Sequence, residues 1–299
     1  MSSIERYQIG IIGIGVMGGP IACRFVQSNF PTLVYDIDRT KVADLVQSGA
    51  QAAYSLPTLW NECTAVLICL PTASAVKEVI LGPDGLTSCN NTRVQLINLS
   101  TIPPYLSTEI QERLSAQSPD YRCTGFVDAP ISGGRRAAED GTLAILVSGM
   151  KKDKMAAFPL LNIIGTPIEC GAIPTSQIIK LINQILVVCQ YVVIAEVLRL
   201  AEKCNVFTDL IDQVINQCLG HSKVWDLAMG TVREHKMGVQ TRILAKDIVI
   251  AKQYAASLGL KLPMVITAEK FLKKIANTDS DPITVFLLNG CVEADTTDI

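Results

Sequence analysis

The stretch YQIGIIGIGVMGGPIACRFV, residues 7–26, decides the fold: it sets the apolar run Ile9–Ile12 directly against Gly13, Gly15, Gly18 and Gly19. Glycine costs up to about 1 kcal/mol relative to alanine inside a helix, so a cluster this dense marks backbone that a side chain would obstruct. The spacing Gly13-x-Gly15-x-x-Gly18 is the dinucleotide-binding fingerprint, with Val16 and Met17 inside its loop. The first glycine permits a tight turn out of a strand, the second lets backbone approach a pyrophosphate, and the third lets helix pack close to strand. The helix that follows offers free N–H groups and a positive dipole end to the phosphates. A glycine-rich turn with no ligand is the plain alternative. The surroundings favour the fingerprint: a strand precedes it, Pro20 falls in the first turns of the helix, and a second strand, TLVYD, ends on Asp36, 18 residues past Gly18. An acid at that place bonds the ribose 2′-hydroxyl. Asp36 therefore favours NAD, while Arg39, able to pair with a 2′-phosphate, keeps NADP open.

Working outward, short apolar runs at 7–13, 32–36, 65–70, 93–99, 122–128, 143–149 and 166–170 alternate with helix-like stretches. Continuous hydrophobic strands separated by helices are what a parallel sheet covered on both faces produces. The expected fold is α/β, a Rossmann-type doubly wound sheet over residues 1–172, followed by an all-helical domain over 173–299. The second domain opens with a long helix near 176–204, with shorter helices around 207–218, 242–259 and 263–277, and a polar, acidic tail, CVEADTTDI. The first half of the long helix is apolar almost all round. Such a helix must be buried on several sides, as between two domains or at a subunit interface, and it predicts a homodimer or homotetramer.

Composition excludes several classes. A net charge of −2 without a dense Lys/Arg run speaks against a nucleic-acid partner. The longest apolar run, residues 185–195, is interrupted by a glutamine and is shorter than the roughly 20 residues a membrane span needs. The ten cysteines form no C-x-x-C, and there are only two histidines, so no metal site is expected. Most cysteines sit among aliphatics, as buried thiols do, and a cytoplasmic location fits them.

The segment GIIGIGVMGGPIA resembles the opening of the β-hydroxyacid dehydrogenase family, which reads G-x-G-x-M-G-x-P-M-A there. Four further segments match in order: CLPTASAV (69–76), NLSTIPP (98–104), DAPISGGRRAAEDGTLAILVSG (128–149) and AKDIVIAKQYAASLGLKLP (245–263). They are similar to the family's cofactor-covering L-P loop, its S-T-x-x-P segment, its D-A-P-V-S-G-G substrate segment and its K-D-L segment. The resemblance implies a nicotinamide cofactor and a small carboxylated hydroxyacid or aldehyde substrate. Leu70 and Pro71 would cover the cofactor, and Thr101 would lie beside the nicotinamide ribose. Taken alone, Pro71 is a strand-to-helix turn, and Ser100 and Thr101 are helix caps.

Ser132, Gly133 and Gly134 give a hydroxyl and exposed backbone N–H groups, a cradle for a carboxylate or else a flexible turn. Lys180, Asn183 and Gln184 share one helix face. A lysine beside two amides in an apolar helix is either a snorkelling surface patch or a site. In the family, the lysine of K-x-x-N-N is the proton donor, which makes Lys180, Asn183 and Gln184 the expected catalytic set, the two amides holding the substrate and the ammonium in line. Lys246 reaches substrate and cofactor by the same resemblance, with Asp247 nearby; otherwise it is half of a solvated charge pair.

Three places depart from the family pattern: Pro174 and Ser176 stand where glycines are usual, Gln184 replaces the second asparagine, and Val239 replaces a phenylalanine. All three bear on the substrate side. Imine reductases share the architecture but usually lack the lysine, and an inactive NAD(P)-binding module is the remaining alternative.

Overall fold

The computed structural model describes residues 7–89, 94–116, 125–234 and 241–275; Val239 and the acidic tail lie outside the described residues. The chain runs β1 (Ile9–Ile12), α1 (Gly18–Gln27), β2 (Thr32–Tyr35), α2 (Arg39–Gln47), β3 (Gln51–Ala52), α3 (Leu56–Glu62), β4 (Ala65–Ile68), α4 (Ala73–Leu81), β5 (Gln95–Asn98), α5 (Pro104–Ala116) and β6 (Gly125–Asp128). Then follow β7 (Ile131–Ser132), α6 (Gly134–Asp140), β8 (Leu143–Gly149), α7 (Lys151–Ile164) and β9 (Gly165–Glu169). Five helices complete the described chain: α8 (Thr175–Lys203), α9 (Thr208–Ile215), α10 (Lys223–Glu234), α11 (Thr241–Ser257) and α12 (Pro263–Ile275). Two compact units result, Met1–Lys180 and Leu181–Ile299.

In the first unit the sheet order is β3-β2-β1-β4-β5-β6-β8-β7, with β9 paired to β8. From β3 to β6 every pairing is parallel. β1 and β4 are buried along their whole length, and successive side chains feed opposite cores. Ile9 and Ile11 join Val34, Leu67 and Ile97 on one face, while Ile12, Leu33, Val66, Ile68 and Leu96 fill the other. The order reverses at β1 and β4, the place where open α/β sheets open a crevice at the carboxyl ends of their strands. Neighbouring strand ends β2, β1, β4, β5 and β6 thus present Asp36, Gly13, Leu70, Thr101 and Asp128 in lateral succession.

The sheet is not parallel throughout. β8 runs antiparallel to β6, pairing Asp128 with Ser148 and Val127 with Gly149, and β7 runs antiparallel to β8. The first part of β8 alternates buried and half-buried residues, the pattern of a strand covered unequally on its two faces.

In the second unit, Val188, Tyr191, Val192 and Leu198 of α8 form one core with Trp225 and Met229 of α10, Leu244 and Ile248 of α11, and Val265 and Leu272 of α12. By length and composition α8 passes for a membrane-crossing helix. The whole helix thus meets the length that the run 185–195 alone does not, and its buried residues pack into the core just described. Burial within the chain covers one side of α8, and Ile182, Leu186, Val193, Val197 and Leu200 remain exposed along it.

Candidate active site

The glycine loop is dictated by close approach. Gly13 adopts φ +86°, and a Cβ there would lie 2.5 Å from the Cys69 carbonyl oxygen. A Cβ on Gly18 would lie 1.9 Å from the Gly13 carbonyl oxygen, so helix and strand could not pack at this separation. Gly15 faces open space, with no heavy atom within 4 Å of its would-be Cβ. Val16 is exposed and Met17 half-buried beside it. The first turn of α1 carries no acidic residue, and Met17, at its N-cap, makes no side-chain capping bond. Backbone without side chains, at the uncapped positive end of a helix, fits a dinucleotide pyrophosphate.

Asp36 is oriented by two backbone donors. Ile14 N–H donates to its Oδ2 and Asp38 N–H to its Oδ1, both at 2.9 Å. Each oxygen keeps a further lone pair for a ribose hydroxyl. The Arg39 guanidinium donates to the carbonyls of Ala53 and Tyr54 at 3.4 and 3.3 Å, and lies 5.4 Å from the Tyr35 ring centroid. It is held against the end of the sheet by these contacts.

At the end of β4, Leu70 is half-buried and Pro71 exposed. Leu70 N–H donates to Ser100 Oγ at 2.9 Å, so this serine ties the L-P segment to the S-T segment instead of serving as a helix cap. Thr101 beside it is half-buried. Past β6, Ser132 is half-buried, and Gly133 and Gly134 have φ +137° and +70°, with open space above Gly134. This local backbone leaves room for a ligand near the S-G-G turn.

Between these segments lies a polar cluster that the motif reading does not single out. Asp128 is fully buried and accepts hydrogen bonds from Asn98 Nδ2 at 2.8 Å, Gln177 Nε2 at 2.8 Å and the Ser107 hydroxyl. Burial pushes its carboxyl from 3.8 up to about 6, against the pull of these donors and of Ser176. Ser176, at one of the departing glycine positions, shares a 2.6 Å hydrogen bond with Ser148. The first turns of α8 are thereby fastened into the sheet unit.

Lys180, one turn further along α8, is only 5% exposed. In the helical unit, Asn183 Nδ2 donates to Gln184 Oε1 at 3.2 Å, and Gln184 Nε2 donates to Asp247 Oδ2 at 2.6 Å. Lys246 Nζ sits 3.0 Å from Asp247 Oδ1 as an ion pair without hydrogen-bond directionality. Gln184 thus reaches Asp247, and the K-D segment meets α8 at this carboxylate.

A family model described as the NAD binding domain of 6-phosphogluconate dehydrogenase matches residues 8–173, more than half of the chain. A second, the NAD-binding domain of NADP-dependent 3-hydroxyisobutyrate dehydrogenase, matches residues 175–282. The chain belongs to the β-hydroxyacid dehydrogenase family. Among its relatives, the 2-(hydroxymethyl)glutarate dehydrogenase of Eubacterium barkeri is 27% identical over 273 residues, covering 90% of this chain and 89% of the relative. The mitochondrial 3-hydroxyisobutyrate dehydrogenase of Bos taurus is 26% identical over 278 residues, covering 90% and 81%. A solved structure of Psf3 in complex with NADP+ and 2-OPP has a TM-score of 0.87 at 24% identity, covering 94% of this chain and 99% of the other, and shares its fold. The protein is an NAD(P)-dependent dehydrogenase of the 3-hydroxyisobutyrate dehydrogenase type.

Proposed function

We propose that the dehydrogenase transfers hydride between NAD and a small carboxylate that bears a primary hydroxyl at its β carbon, or the matching semialdehyde, with Lys180 as the general acid/base. The observation that carries this reading is the succession Gly13, Leu70, Thr101 and Asp128 along adjacent strand ends, with α8 fastened there by Gln177 one turn before Lys180. The relatives' names supply the substrate class, since 2-(hydroxymethyl)glutarate and 3-hydroxyisobutyrate both describe a hydroxymethyl group next to the carbon bearing a carboxylate.

A nicotinamide held there would supply or accept the hydride. The chain's own groups do the rest. The Gly13–Gly18 loop and the start of α1 take the pyrophosphate, Asp36 the ribose hydroxyls, and Leu70, Pro71 and Thr101 flank the nicotinamide end. Ser132, Gly133 and Gly134 take the substrate carboxylate. In reduction Lys180 Nζ gives a proton to the oxygen on which charge develops; in oxidation it takes the hydroxyl proton. Asn183, Gln184 and Lys246 carry their substrate and cofactor roles through the family resemblance alone. The cytoplasmic location is part of the same proposal.

The test is nicotinamide absorbance in steady state with both cofactors and a panel of β-hydroxy carboxylates and their semialdehydes. Turnover is expected with at least one of them, and silence across the panel would overturn the substrate class. For the cofactor, NAD is expected to exceed NADP in kcat/KM. Removing the carboxylate in Asp36→Ala is expected to shift that ratio toward NADP by about 10-fold or more, since a charged hydrogen bond is worth about 1.5–3 kcal/mol. An unchanged ratio would take cofactor choice away from Asp36. The exposed stripe Ile182, Leu186, Val193, Val197 and Leu200 supports a homodimer or homotetramer that covers it. Light scattering at micromolar concentration is expected to show one of these; a monomer would refute it.

A further inference from the structure

We infer that Gln177, anchored on the Asp128 carboxylate, is a positioning residue that holds Lys180 and Thr101 in one register; the inference rests on the proposed role of Lys180. Gln177 is fully buried in the first turn of α8, and both ends of its amide are engaged. Nε2 donates to the Ser100 carbonyl at 3.0 Å and to Asp128 Oδ1 at 2.8 Å, while Oε1 accepts from Ile102 N–H at 3.1 Å. Ser100 and Ile102 flank Thr101, so one side chain fixes the backbone on both sides of that residue. Asn98 doubles the clamp: its Nδ2 donates to the Ser100 carbonyl at 3.2 Å and to Asp128 Oδ1 at 2.8 Å, and its Oδ1 accepts from Ser100 N–H at 3.1 Å. Asp128 is the common acceptor that aims both amides. Lys180 follows Gln177 by three residues, on the same helix face and about one turn away. A rotation or slide of α8 relative to the strand ends would break the Gln177 bonds and displace the ammonium together.

The chemistry of Asp128 separates positioning from plain structural support. Around it stand Asn98 from β5, Ser107 from α5, its register partner Ser148 on β8, and Ser176 and Gln177 from α8, all neutral. An asparagine at 128 would satisfy the same neighbours: Oδ1 accepts from both amides, and Nδ2 donates to the Ser107 oxygen. A buried ionised carboxylate without a cationic partner costs stability that an amide would not, and such a group points to a demand other than folding. The carboxylate grips the amides harder than a neutral acceptor does. The pH signs are therefore opposed. Because the folded-state pKa of this acid is raised, from 3.8 to about 6, its contribution to stability improves as pH falls through that window, while its grip on Gln177 weakens.

The experiment measures kcat, KM, cofactor Kd and melting temperature for wild type, Gln177→Leu, Asp128→Asn and Lys180→Met, with a substrate that wild type turns over. Gln177→Leu is expected to lower kcat by about 10–100-fold with little change in cofactor Kd, the scale of one or two lost charge-assisted hydrogen bonds. A folded Gln177→Leu variant with wild-type kcat overturns the inference. Should Gln177→Leu not fold, Asp128→Asn decides. It is expected to melt at or above the wild-type temperature at pH 8, yet to turn over more slowly and to lack the inflexion in kcat near pH 6 that is expected of wild type. Wild-type kcat with the inflexion retained, or a rate lost only in step with lost stability, overturns it. Lys180→Met as active as wild type would overturn the proposed function instead. An inactive Lys180→Met beside fully active Gln177→Leu and Asp128→Asn would sink this inference alone.

Discussion

A Gly18→Ala variant is expected to lose binding of the nicotinamide cofactor and about 3 kcal/mol or more of stability, toward the upper end of overpacking costs. The added Cβ would sit 1.9 Å from the Gly13 carbonyl oxygen, 3.0 Å from its carbon and 3.4 Å from Cys69 Cβ. The closest obstacles are backbone, so no side-chain rotation relieves them, and α1 must move away from β1. That movement carries the helix N-terminus away from where the phosphates would sit. Gly15→Ala is the informative partner, because its Cβ meets no protein atom within 4 Å. It is expected to fold like wild type and to weaken cofactor binding, since only a ligand occupies the space it enters. Thermal melting and titration of NADH fluorescence separate the two variants. Cofactor binding at wild-type strength in both would refute the glycine loop as the pyrophosphate site.

The elements legible in the sequence are those whose signal is local. β1, β2, β4, β5 and β6 fall within the continuous apolar runs, because a strand covered on both faces admits almost nothing else; β8 falls within one too although its first part is covered unequally, and β9, largely exposed, starts one residue before its run. β3 and β7, two residues each, are too short to leave a pattern, and their existence depends on the neighbours they pair with. The reversed direction of β8 is likewise a property of its pairing. α10 goes unrecognised because its apolar residues are interrupted by charges, although Val224, Trp225, Ala228 and Met229 recur at helical spacing and Ser222 Oγ accepts from Trp225 N–H at its start. The candidate site divides in the same way. Gly13, Gly18 and Asp36 announce themselves by spacing, whereas Asp128 meets Asn98 and Gln177 across 30 and 49 residues, so only the fold shows them as one cluster. The substitution at Gln184 reads in the sequence as a reshaped substrate pocket. In the structure its amide nitrogen is bonded to Asp247, 63 residues away.

Lys180→Met is expected to lower kcat by about 10²–10⁴-fold, the usual contribution of a positioned general acid or base, while leaving cofactor Kd near wild type. The stem of methionine matches that of lysine, so the packing of a residue only 5% exposed is largely kept while the ionisable nitrogen is removed. What disappears is a group able to protonate the oxygen as hydride arrives at carbon. Without it the developing alkoxide must be met by water, which a buried position on α8 does not readily admit. Lys180→Ala adds a sharper test, because it opens space where the side chain stood. A small primary amine in the buffer is expected to restore part of the lost rate in the alanine variant and none in the methionine variant. Rescue of this kind follows a missing proton carrier and not a damaged fold. If Lys180→Met keeps the wild-type rate, or if no amine restores Lys180→Ala, proton transfer belongs to another group. The family and the nicotinamide cofactor would stand, since they rest on the matched segments and on the glycine loop at the opposite end of the first unit's sequence.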